Sequence, residues 1–170
     1  MKVFALSLVF LLGGLSAPSW AAEFFDQSFG NFEEEAAMAR DEGKLGVFVF
    51  FEMDDCPFCH RMKETILIEP DVVEYFNQHF KAYRFDIEGA SPVVDFDGTE
   101  FASGQEMAEK KYRVRATPVM IMFDNDGKVM ARYTGPTTTK EEFLMWGEFV
   151  ISGEYKNMPF TRYKRAQAQK

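Results

Sequence analysis

Residues 45–59 read LGVFVFFEMDDCPFC, and the order of those letters is informative. Leu45–Phe51 is a near-continuous apolar run of strand length, typical of a strand covered on both faces in a sheet flanked by helices. Glu52-Met53-Asp54-Asp55 is a polar turn. A helical stretch then runs from Cys56 to about Ile68, with Pro57 tolerated in its first turn. At a helix start the sulfur of Cys56 faces unsatisfied backbone N–H groups and the positive end of the helix dipole, which favours thiolate over thiol. Cys59, one turn on, lies on the same face and can resolve a mixed disulfide. We expect Cys56 to be exposed at the helix start and Cys59 to be buried beneath the helix.

The spacing alone admits other chemistry. A structural disulfide across three residues closes a tiny loop and constrains the unfolded chain little. A half zinc site lacks its other half. Cys56-Pro57-Phe58-Cys59-His60 also matches the attachment pattern of a c-type haem, with His60 and a methionine as axial ligands. Launching the motif from a buried strand disfavours haem, and Met120 and Met122 sit in an apolar strand where methionine is usually core filler. Position after a strand and at a helix start favours a redox pair.

Working outward, Phe32–Glu42 reads as a helix capped by Asn31 and stopped at Gly43. Pro70 breaks the helix after the cysteines, and Asp71 caps a second piece, Val72–His79. Phe80–Ile87 is strand-like. Val93–Ala102 alternates around Asp97-Gly98 as a hairpin. Gln105–Tyr112 is helical, Pro118–Phe123 is another apolar strand, and Lys128–Tyr133 pairs back across Asn125-Asp126-Gly127. Thr139 caps a last helix with Phe143, Trp146, Val150 and Ile151 on its apolar face. The order is α-β-α-β-(hairpin)-α-β-β-α, an α/β sandwich with a mixed sheet. Residues 156–170 read as a basic, weakly patterned, mobile tail.

Composition narrows the function. A net charge of −8 argues against nucleic acid, whose phosphates need a basic face. Two cysteines exclude a disulfide-dense mini-scaffold and a four-cysteine zinc site. Met1-Lys2, the apolar stretch Val3–Leu15 and Ser19-Trp20-Ala21 read as a cleavable export signal, residues 1–21. The apolar stretch is short for a membrane span, and no cysteine near the cleavage site supports a lipoprotein. The domain expected to follow, residues 22–155, is large enough to bury a core without disulfides, so two cysteines three apart ask for a chemical role.

Thr117-Pro118 is the second telling pair, because proline lacks a ladder donor and belongs at a strand start. Taken with LGVFVFF, CPFCHRMKETIL, EPDVVEYFNQHF, YRFDIEG, VVDFDGTEF and AEKKYRVRATPVMIMFDNDGKVMARYTG, it makes Phe25–Tyr155 resemble the thioredoxin superfamily. Within it, the chain is similar to the SoxW-type periplasmic thioredoxins. The resemblance implies a thioredoxin fold: a central mixed β-sheet flanked by helices, with a β-hairpin insertion before the cis-proline strand. It further implies a redox-active Cys56–Cys59 pair and Pro118 in cis, with Thr117 free to pair with an extended substrate. Pro57 and Phe58 would shape the site.

The sequence departs from the usual pattern in two ways. Asp55 stands where thioredoxins have Trp, and Pro57-Phe58 replaces Gly-Pro. Phe50 stands where a buried Asp usually takes the proton of the resolving cysteine. Glu52 is the nearest substitute acceptor, though a loop acid is usually just solvated. Asp54 and Asp55 would oppose the thiolate, with Arg61 and Lys63 partly restoring it. The expected function is thiol–disulfide exchange by a periplasmic monomer without cofactor or metal, reducing disulfides of exported proteins with electrons from a membrane thiol transporter. The alternatives are a DsbA-type oxidase, a non-catalytic binding module using the Pro118 groove, and the haem protein.

Overall fold

The computed structural model describes residues 23–169; the expected export signal lies outside the described residues. Four strands form one sheet in the order β2-β1-β5-β6: β1 (Gly46–Glu52), β2 (Phe80–Asp86), β5 (Val119–Asp124) and β6 (Val129–Thr134). β1 runs parallel to β2 and antiparallel to β5, and β5 runs antiparallel to β6, so the sheet is mixed as expected. Two short strands, β3 (Val93–Val94) and β4 (Glu100–Phe101), form the inserted hairpin.

Strand alternation on β1 builds two cores. Phe48 and Phe50 face one side, packing with Phe76, Phe143 and Trp146 from α3 (Pro70–His79) and α5 (Lys140–Ile151). Val47, Val49 and Phe51 face the other, with Phe32 and Ala36 of α1 (Phe32–Asp41). The first six residues of β1 are buried, which explains the unbroken apolar run. Fully burying one such side chain contributes ~2 kcal/mol. Asn31 caps α1 by accepting from the Glu34 N–H, and Thr139 caps α5 by accepting from the Glu142 N–H.

The expected helix over 105–112 differs in kind. A short α4 (Gly104–Glu106), capped by Ser103, runs into a π-helical turn, Met107–Lys111. The widened turn buries Met107 and Ala108, and Val114 N–H then donates to Ala108 O at 2.8 Å.

Residues 156–170 require a correction. They include helix α6 (Phe160–Gln167), docked on α5, with Phe160 and Tyr163 centred 5.4 and 5.3 Å from Phe149. Lys164 pairs with Glu142, and Tyr163 is buried. Two aromatics one turn apart carry the docking, a signal hidden among basic residues.

Candidate active site

Cys56 and Cys59 are joined as a disulfide with Cα atoms 5.2 Å apart. Cys56 is the N-cap of α2 (Pro57–Thr65), in extended conformation, and its Sγ accepts the Cys59 backbone N–H at 3.1 Å. Pro57 occupies the first helical turn, where its missing N–H costs nothing, and that turn has no acidic side chain. The sulfur therefore stands where serine or aspartate usually caps a helix. In the reduced protein the same N–H favours a thiolate.

The expected difference in exposure is corrected: Cys56 is 2% exposed and Cys59 0%. Both sulfurs belong to the core containing Phe50 and Met62. Phe58, between them, is 57% exposed and presents an apolar face beside the disulfide.

Sheet register brings the second element to the same end. Val119 lies opposite Phe51, so Thr117 and Pro118 emerge where β1 leads into Cys56. The Thr117–Pro118 peptide bond is cis. Pro118 O accepts from Gly135 N–H at 2.9 Å, and Arg61 of α2 donates to Thr137 O at 2.7 Å, tying α2 to the loop after β6. Among the described residues, the backbone N–H and C=O of Thr117 have no hydrogen-bond partner, and its buried Oγ1 has none.

Glu52 is the last residue of β1, not a solvated loop acid. Its carboxylate lies 2.6 Å from Lys63 Nζ and 3.8 Å from Arg84 Nη1. Lys63 follows Cys59 by four residues and shares its side of α2. Phe50 is fully buried in the place usual for an acid. Asp54 and Asp55 are exposed in the turn before Cys56 and form no ion pair among the described residues. His60 Nε2 lies 3.0 Å from Asp54 O, bracing that turn. Met120 and Met122 are buried on β5 as core residues.

Sequence reasoning missed Arg84 and Thr137. Both reach the site through tertiary packing, from the neighbouring strand and the β6–α5 loop, and no local spacing announces them.

The arrangement is a cysteine pair at a helix start beside an unpaired stretch of backbone, suited to two-electron exchange with an extended disulfide partner. Residues 32–151 match the family described as thioredoxin-like domain. A thioredoxin-fold protein from Helicobacter pylori is 23% identical, covering 72% of this chain and 84% of its own, with a TM-score of 0.59. A thioredoxin from Thermus thermophilus is 22% identical, covering 78% and 88%, with a TM-score of 0.58. A Bacteroides thetaiotaomicron protein provisionally assigned as a disulphide-isomerase is 27% identical, covering 72% and 90%, with a TM-score of 0.56. No curated protein sequence matches the chain.

Proposed function

From the premise that the chain belongs to the thioredoxin-like family and is a thiol–disulfide oxidoreductase, we propose that it reduces disulfides of exported proteins in the periplasm. The SoxW-type pattern in the sequence supports this subtype. Residues 1–21 act as the export signal, and the remainder works as a monomer.

The observation carrying the reading is the Cys56 Sγ capping α2 beside the unpaired Thr117 backbone. In the dithiol form, the Cys56 thiolate attacks a substrate sulfur. A mixed disulfide forms and the first substrate thiolate leaves. Cys59 then loses its proton and attacks Cys56 Sγ, and the second substrate thiolate leaves. Two electrons pass to the substrate, and Cys56–Cys59 becomes the disulfide seen here. Glu52, held by Lys63 and Arg84, takes the Cys59 proton. A membrane thiol transporter restores the dithiol by the same exchange in reverse.

The direction rests on electrostatics. One carboxylate at ~8 Å with an effective dielectric of ~40 costs a thiolate about 1 kcal/mol. Asp54 and Asp55 thus offset part of the helix-terminus stabilisation, and a less stabilised thiolate makes a more reducing couple. The test is dithiothreitol-driven reduction of insulin. The parent protein accelerates insulin precipitation and the Cys56→Ser variant does not. Equal rates for the two would overturn the reading in favour of a non-catalytic binding module.

A further inference from the structure

The segment leading into Thr117 carries two arginines that the exchange mechanism does not use. Arg113 has φ of 52°, in the left-handed region uncommon for non-glycine residues. It follows the π-helical turn Met107–Lys111, a deviation frequent at functional sites. Neighbouring contacts fix this backbone. Tyr112 OH bonds the buried Asp95, Arg132 Nη1 donates to Tyr112 O at 2.6 Å, and the Val114 side chain is buried. With Val114 turned inward, Arg113 and Arg115 are both exposed, four and two residues ahead of Thr117. With Lys110 and Glu109 they line a hollow of about 590 Å³. Lys110 is paired with Glu106, whereas neither arginine forms an ion pair among the described residues. Two guanidinium groups without an ion pair thus line one hollow, against the single carboxylate of Glu109, on a chain of net charge −8.

We propose that Arg113 and Arg115 form a specificity surface for a disulfide substrate with acidic residues on the C-terminal side of its reacting cysteine. The proposal rests on the oxidoreductase reading above and names the chemistry of its substrate. A strand pairing antiparallel with Thr117 places its following residues opposite Ala116 and Arg115, because the register runs in opposite directions on the two chains. Glutamate or aspartate there meets a guanidinium group that offers a bidentate donor fork. Asp54 and Asp55 lie on the β1 side of the disulfide, so the preference for acid is confined to the β5 side.

The test uses disulfide-linked homodimers of one short peptide. One version has glutamate, the other lysine, at the second and fourth positions after the cysteine. The overall negative charge of the protein favours the lysine peptide, so the two effects have opposite signs. We expect the reduced protein to reduce the glutamate peptide about tenfold faster at low ionic strength. The difference disappears toward 1 M salt, where the screening length is ~3 Å. Arg113→Gln/Arg115→Gln brings the rate ratio to one or below. Equal rates, a preference for lysine, or a ratio unchanged in the double variant would overturn the proposal while leaving the oxidoreductase reading intact. Reduction of neither peptide would overturn both.

Discussion

The backbone N–H of Cys59 donates to the Sγ of Cys56 across 3.1 Å, so the attacking residue caps the helix through the N–H of the resolving one. Capping by sulfur at a helix start puts the thiolate preference on Cys56, independently of solvent access. Because both sulfurs are buried, reactivity between them is decided by charge stabilisation.

Selective alkylation reads that assignment. In the dithiol form at pH 7, iodoacetamide modifies Cys56 at least tenfold faster than Cys59, because the helix start favours the Cys56 thiolate. Mass spectrometry of partly alkylated protein gives the ratio, and equal modification would contradict the assigned roles.

Glu35 couples stability to pH. It is buried on α1, where its Oε1 accepts from Ser28 Oγ at 2.6 Å and Phe29 N–H at 3.2 Å, while Oε2 has no partner. Burial pushes its carboxyl from 4.5 up to about 7. The folded state therefore binds the extra proton between those values. This contribution is fully present below pH 4.5 and is lost as pH rises through 7, an effect of up to about 3 kcal/mol. Glu35→Gln keeps an acceptor for Ser28 and removes the ionisation. Thermal melts should show the variant gaining stability over the parent from pH 5 to 8; parallel profiles would contradict the buried carboxyl.

The inserted hairpin is locked to the β5–β6 turn at Gly127. That residue has φ of 77°, and a Cβ there would lie 2.2 Å from Phe96 Cβ. Gly127→Ala combines an unfavourable backbone with a clash and should destabilise by about 2–3 kcal/mol in urea unfolding. Phe96→Gly, which removes the clashing Cβ, should recover part of that loss in the double variant; strict additivity would contradict the contact.

Helix α6 belongs to the folded domain. Tyr163→Ala removes a buried ring from Phe149 and should cost about 2–3 kcal/mol, whereas the exposed Arg165→Ala should change stability by less than about 0.5 kcal/mol. Equal, negligible losses would return the segment to the status of a tail.

The fold was legible where local pattern and burial agree. Leu45–Phe51 announced a doubly covered strand, Asn31 and Thr139 announced their helices, and Asn125-Asp126-Gly127 announced a hairpin turn. Cys56 and Cys59 were legible for the same reason, since strand, turn and helix start are consecutive. Glu52 was visible as an acid near the motif, but its partners Lys63 and Arg84 come from other elements. The burial of Cys56 depends on tertiary packing that helix position cannot convey. Helix α6 escaped because Phe160 and Tyr163 interrupt a basic segment whose composition reads as solvated. The π-helical turn escaped because its residues suit an ordinary helix.

Neutralising Asp54 and Asp55 probes the direction of exchange. Asp54→Asn/Asp55→Asn should make the couple more oxidising by about 20 mV per carboxylate, the equivalent of ~1 kcal/mol each. No shift would mean that neither carboxylate senses the sulfur.

Equilibrating the Cys56–Cys59 pair against glutathione tests the reductase reading most directly. The account predicts a reduction potential between about −200 and −270 mV. A value of about −120 mV would contradict it and make the protein an oxidase.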